Sequence, residues 1–296
     1  MSSATLEAST ATGSGRSQTR RALSRFFRHT TGVVGLGLIA FISIASLIAP
    51  VVHPYDPATD RDLRARLEAP SAEHWFGTDE LGRDLFTRVW YGGRISLRVG
   101  LIAVAFSLVA GTLLGLVAGY LGRWVDTLAV WFIDILMAFP GILLAIAIVA
   151  ILGPSLTNAL IAISITQVPI YMRLTRSVVL SIKESEYVQS AKALGARAPR
   201  VVFRHVLPNS LSPLIVQLTL SIGVAILDVA ALGFLGLGAQ PPVPEWGLMI
   251  RDGFAQFVRA PWMSIFPGLA IFLSVVGFNL LGDAIRDILD PRLRNL

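Results

Sequence analysis

Lys183 to Asn209 read KESEYVQSAKALGARAPRVVFRHVLPN, a polar island in a chain that is otherwise mostly hydrocarbon. The stretch carries Lys183, Lys192, Arg197, Arg200 and Arg204, with Glu184 and Glu186 at its start. Lys and Arg concentrate on the cytoplasmic loops of membrane proteins, so the stretch reads as a cytoplasmic loop. Its chemistry predicts helix, break, helix. Tyr187, Val188, Ala191 and Leu194 recur at helical spacing after Ser185 and Glu186. Gly195 stands where a left-handed C-terminal cap belongs. Pro199 suits the first turn of a second short helix, and Pro208 marks entry into the next apolar run. The expectation is two short helices at nearly a right angle. Held between two membrane spans, they make a rigid knob suited to carrying force to a soluble partner.

Composition places that knob on a membrane protein. The 296 residues are 54% hydrophobic and 15% charged, with no cysteine. A soluble domain rarely combines so few charges with so much apolar content, and several runs have membrane-spanning length. The net charge of +6 sits in loops between those runs, without interleaved aromatics, so it reads as topology and not as a nucleic-acid surface. The lack of cysteine excludes disulfides and thiolate metal sites.

The fold class expected is an all-α membrane protein of about six spans. Residues 1–30 form a basic cytoplasmic tail, disordered until near Ser24. Residues 31–94 hold the first span, about Val33 to Val52, and an outer segment. Prolines 54, 57 and 70 bar one long helix there. Acids outnumber arginines in that segment, and Thr78 or Asp79 would cap an amphipathic helix through Trp90 lying along the outer membrane surface. His53 and His74 read as ordinary surface histidines.

Residues 95–285 hold the remaining spans: about Ile95–Tyr120, Thr127–Leu152, Asn158–Leu180, Leu211–Phe234 and Trp262–Leu281. Residues 286–296 form a cytoplasmic tail. Gly111, Gly115 and Gly119 make a small-residue stripe for close packing against another helix, in this chain or a partner. Arg173 and Arg176 lie near the inner end of the fourth span, where long side chains reach the interface. Trp246 and Trp262 bracket an outer segment like interfacial aromatics. Most basic residues fall in segments placed inside, which puts both termini in the cytoplasm.

Asp134 and Asp228 are the acids well inside spans, where a charge costs about 2.5–3.5 kcal/mol on insertion scales. Each is a candidate lining residue of a translocation path or a structural acid between helices. No G-x-x-x-x-G-K-[ST] loop occurs; Gly13-Ser14-Gly15-Arg16-Ser17 lacks the spacing and the lysine. No Ser/His/Asp or HExxH constellation occurs either. The chain is therefore expected to be a non-enzymatic subunit without a cofactor of its own. A proton-coupled secondary transporter is the rival class, and it predicts interrupted helices in matched halves. Only one strong interruption is evident, after Asp228.

The loop at 183–209 resembles the EAA loop of ABC importer permeases, in which EAA, three residues, Gly, nine residues and I-x-L-P follow in order. Gln189-Ser190-Ala191 occupy the EAA places, Gly195 is the glycine, and Leu207-Pro208 are the closing pair. Gln189, Ser190 and His205 depart from the pattern, so the likeness rests on Ala191, Gly195 and Pro208. GTDELGRDLFTRVWYGGRISL (Gly77 to Leu97) and LDVAALGFLGLGAQPPVPEWG (Leu227 to Gly247) resemble the dipeptide/oligopeptide branch of these permeases. The resemblance covers nearly all of Val33 to Arg294.

It implies a type I importer permease fold in a bacterial inner membrane, with a coupling helix formed by Glu186, Tyr187, Gln189, Ser190, Ala191, Lys192, Gly195, Ala196 and Pro208. The implied partners are a second homologous permease chain, two ATP-binding subunits that hold ATP and Mg, an extracytoplasmic binding protein and a peptide cargo. Nickel or another small solute of the same family is the alternative cargo. The segment from Gly236 to Trp262, with the helix expected at Asp79 to Trp90, is the expected outer gate and docking region. Its named residues are Asp79, Arg83, Asp84, Glu245, Trp246 and Arg251.

Overall fold

Long apolar runs bounded by glycine, proline and capping acids fold as helices, and the described residues contain little other regular structure. A computed structural model describes residues 24, 26–56 and 59–289. The elements are α1 (Thr30–Val52), a 3-10 turn at Leu63–Ala65, α2 (Leu85–Leu121), α3 (Arg123–Met137), α4 (Gly141–Leu152) and α5 (Leu156–Lys183). They continue with α6 (Glu186–Ala193), α7 (Ala198–Val201), α8 (Leu207–Phe234), α9 (Trp246–Ala255) and α10 (Trp262–Leu289). The expected basic tail up to residue 23 and the chain end from 290 lie outside the described residues.

Each of the six expected apolar segments is helical. The helices α1, α2, the continuous rod Ala198–Phe234 and α10 are long and apolar enough to cross a membrane, and α3 with α4 makes a fifth span if the bent pair counts as one. The 28-residue α5 has spanning length but carries Asn158, Gln167, Arg173 and Arg176 along it.

Several expectations are corrected. Asp79 starts no surface helix. Asp84 caps α2 by accepting from the Thr87 N–H at 2.8 Å, and α2 runs unbroken for 37 residues from there into the membrane. The boundary drawn between residues 94 and 95 therefore falls inside one helix. The third span is bent by 89° between Met137 and Gly141. Pro140 disfavours helical geometry at Phe139, which separates α3 from α4. The last helix continues to Leu289, two turns beyond the expected span end at Leu281 and into the segment read as a tail from residue 286.

The core lies where α2 meets α5 and α8, and where α10 meets α1 and α8. The glycine stripe on α2 faces α5 of the same chain. A Cβ at Gly111 would stand 2.6 Å from the Val168 carbonyl oxygen, and one at Gly115 would stand 2.6 Å from that of Met172. At Gly119 it would meet Val179 at 2.9 Å. The two backbones thus approach as closely as glycine allows. Ser107 ties the same seam, its hydroxyl donating to the Ser164 carbonyl oxygen at 2.8 Å.

Candidate functional site

The 183–209 loop is built on a core of four valines and one leucine. Val188, Val201 and Val206 are buried and pack with Leu116 of α2 and Val179 of α5. Burial of that set fastens the loop to two membrane helices. The Lys183 ammonium donates to the Tyr120 carbonyl oxygen at 2.9 Å, and Lys183 and Lys192 both lie about 6 Å from the Tyr120 ring.

The tip closes as the sequence predicts. Gly195 has φ +84°, its N–H donates to the Lys192 carbonyl, and the Ala196 N–H donates to the Ala191 carbonyl. This pair of bonds is a Schellman cap, which satisfies the last carbonyls of α6. A Cβ at Gly195 would meet nothing within 4 Å, so the demand for glycine is set by backbone conformation alone.

Two features differ from expectation. There is no second separate short helix. The wide turn at Val202–Val206, in which the Leu207 N–H reaches the Val202 carbonyl, joins α7 directly to α8. Pro208 sits in the first turn of α8, and the widened turn relieves the clash a proline makes with the carbonyl four residues back. The apolar set at helical spacing also splits. Val188 is buried, whereas Tyr187 is half exposed and Leu194 is 89% exposed. Leu194, beside Gly195, is the exposed apolar side chain at the tip, and it is not among the site residues the sequence singles out. Its place just before the capping glycine was the available signal. Glu186, Gln189 and Ser190 are exposed, while Ala191, Lys192 and Ala196 are partly covered.

At the far ends of the spans, four expected docking residues are internal. Glu245 is fully buried. Its Oε1 accepts from the Gly247 N–H at 2.9 Å and the Ser96 hydroxyl at 3.0 Å, and its Oε2 accepts from the Leu248 N–H at 2.9 Å. Burial pushes its carboxyl above the ordinary glutamate value, with these three bonds opposing. Trp246 is also fully buried, so it is no interfacial aromatic. The carboxylate caps α9, and the irregular Gly236–Pro244 stretch is thereby pinned to α2.

Asp79 and Arg83 are buried and paired, Arg83 Nε to Asp79 Oδ2 at 2.6 Å, with Arg88 Nε at 3.4 Å from the same oxygen. Arg88 also donates to the Tyr55 hydroxyl at 2.9 Å. His74 lies 3.1 Å from Asp84, the cap of α2, so it is paired and not a free surface histidine. These groups hold the outer segment together, and a docking protein reaches none of Asp79, Arg83, Glu245 or Trp246. Arg251 is exposed.

The two intramembrane acids separate. Asp134 of α3 pairs with Arg173 of α5 at 2.5 Å, both side chains being about half exposed. Asp126 accepts from Arg176 at 2.7 Å, so the two arginines read as interface-seeking are ion-paired instead. Asp228 is partly buried on α8 and has no hydrogen bond or ion pair among the described residues.

Comparison with known proteins agrees with this architecture. The family described as binding-protein-dependent transport system inner membrane component matches residues 111–295, and the N-terminal TM domain of oligopeptide transport permease C matches residues 17–70. The dipeptide transport system permease protein DppC of Alkalihalophilus pseudofirmus is 54% identical over 93% of this chain and 90% of its own length. The di/tripeptide transport system permease protein DppC of Pseudomonas aeruginosa is 49% identical, covering 91% of both chains. The glutathione transport system permease protein GsiD of Pectobacterium atrosepticum is 46% identical over 92% of this chain and 90% of its own.

Proposed function

The chain belongs to the binding-protein-dependent transport system inner membrane components and is a permease of the dipeptide and glutathione type; we propose that it forms half of a peptide path and receives ATP-driven closure through the 183–209 loop. It is a multi-pass inner-membrane protein. The loop and both termini face the cytoplasm, in keeping with the excess of Lys and Arg there. Two separate ATPase subunits hold ATP and Mg, a second permease chain completes the path, and an extracytoplasmic protein delivers the cargo. That cargo is a dipeptide or short oligopeptide; the names of the relatives support peptide over nickel.

One observation carries this reading. The loop offers an exposed tip at Leu194 and Gly195, while buried Val188, Val201 and Val206 lock it to α2 and α5. A push on the tip is therefore delivered to the membrane helices without dissipating in a flexible link. Asp228 supports the path, because an unpaired acid at that depth calls for water or a partner chain.

The test is peptide-stimulated ATPase activity of the complex purified with its native subunits. Leu194→Asp should abolish stimulation or detach the ATPase. Wild-type stimulation and a full ATPase complement in the variant would contradict the coupling role.

A further inference from the structure

We propose that the cavity between α1, α2 and the start of α5 is a binding site for one acidic phospholipid. The cavity measures about 880 Å³ and is walled mainly by apolar groups, among them Leu47 of α1, Ile102 of α2, Leu160 of α5 and Val243 of the proline-rich stretch. Its charged lining consists of Arg94 and Arg98, and no acid lines it. The two arginines are four residues apart on α2, hence on one helix face. Both are exposed and neither has an ion pair or hydrogen bond among the described residues. This sets them apart from Arg83, Arg88, Arg173 and Arg176, each of which meets an aspartate.

Depth supplies an independent argument. The other end of α2 is Leu121, next to Tyr120, whose carbonyl takes the Lys183 ammonium. At about 1.5 Å per residue, Arg98 and Arg94 stand roughly 35–40 Å from that end. A hydrocarbon core of about 30 Å within a bilayer of about 40–45 Å puts both guanidinium groups at headgroup depth.

An acidic phospholipid satisfies both halves of the site. Its phosphodiester carries one negative charge on two non-bridging oxygens, each with several lone pairs, so both guanidinium groups can donate charge-assisted hydrogen bonds to it. Its acyl chains fill the apolar groove below. Thr157 places a hydroxyl at the lining for a remaining headgroup oxygen, while the Tyr91 hydroxyl donates to the His53 carbonyl oxygen and ties the rim of the cavity to the end of α1. Basic pockets between membrane helices bind acidic headgroups on the cytoplasmic side of membranes, and the same guanidinium–phosphate pairing applies at this opposite end of α2.

The experiment uses the permease purified with its native partner subunits and reconstituted into phosphatidylcholine nanodiscs. Spin-labelled phosphatidylglycerol and spin-labelled phosphatidylcholine are compared for the motionally restricted fraction. The wild type should prefer phosphatidylglycerol several-fold. Arg94→Gln with Arg98→Gln should bring the preference close to unity, and Arg94→Lys with Arg98→Lys should retain most of it. Arg286→Gln, near the far end of α10, should leave it unchanged. Leu160→Trp, which narrows the groove and keeps both charges, should also reduce it, so the site is tested even if the double glutamine variant misfolds. A wild type without preference, as when the second permease chain fills the cavity, overturns the proposal. So does a correctly assembled glutamine variant with wild-type preference.

Discussion

The indole Nε1–H of Trp246 donates to the main-chain carbonyl oxygen of Val89 at 2.8 Å, across 157 positions of sequence. Gly92, one turn on, leaves room for this contact, since a Cβ there would stand 2.9 Å from the indole. Trp246→Ala should destabilise the permease by about 3–5 kcal/mol, the usual cost of emptying a buried aromatic site. Trp246→Phe should cost less, about 0.5–1.5 kcal/mol for the lost bond with most of the packing kept. Thermal unfolding in detergent orders the two. Equal melting temperatures for Trp246→Ala and the wild type would refute the latch.

Glu245 gives that latch a pH dependence. Its folded-state carboxyl titrates above the ordinary glutamate value. A raised folded value means stability is fully present below the unfolded value and is lost as pH rises through the folded one. The melting temperature of the wild type should therefore fall relative to Glu245→Gln as pH rises from the ordinary glutamate range. A difference that is flat or grows in favour of the wild type would contradict this.

The glycine seam predicts a position-specific response. Gly115→Ala would press a Cβ against main-chain and side-chain atoms of Met172 and Thr175, neither of which can rotate away. Its melting temperature should drop, and Gly115→Leu should lose folded protein. At Gly37 and Gly268 a Cβ meets nothing within 4 Å, so alanine there should be neutral or slightly stabilising through helix propensity. Size-exclusion yield and thermal unfolding separate the cases; equal effects at Gly115 and Gly268 would rule out close packing as the cause.

Much of this was legible in sequence, and what was lost has identifiable causes. Hydropathy found the apolar segments because lipid demands uninterrupted runs. The glycine spacing and the αL demand at Gly195 are local properties, so they could be read from single positions. Three features depend on contacts that no single position shows, whether the partner is distant, as Ser96 is from Glu245, or only a few residues away. Glu245 and Arg83 look like surface charges until Ser96 and Asp79 are placed beside them. Asp84, not Asp79, starts α2 because Asp79 is occupied by the backbone N–H groups of Leu81 and Arg83. Pro208 signals a break only if the turn before it is regular, and here that turn is widened.

The ion pair between Asp134 and Arg173 bridges α3 to α5 with both partners half exposed. Asp134→Asn should leave Arg173 unpaired and lower assembly yield, with a cost of about 2.5–3.5 kcal/mol if the arginine faces hydrocarbon. Exchanging the two, Asp134→Arg with Arg173→Asp, should recover part of the loss. Failure of the exchange to improve on either single variant would show that the pair itself contributes nothing.

Coupling through the 183–209 loop is tested most directly by peptide-stimulated ATPase activity in complexes carrying substitutions at Gly195. Its φ of +84° suits glycine and tolerates asparagine, but strains a β-branched residue by about 1–3 kcal/mol, and no neighbour lies within 4 Å to confuse strain with collision. The expected result is near wild-type stimulation for Gly195→Asn and a severalfold loss for Gly195→Val, with both variants assembling the full subunit set. Wild-type stimulation in an assembled Gly195→Val complex would contradict the coupling role of the loop.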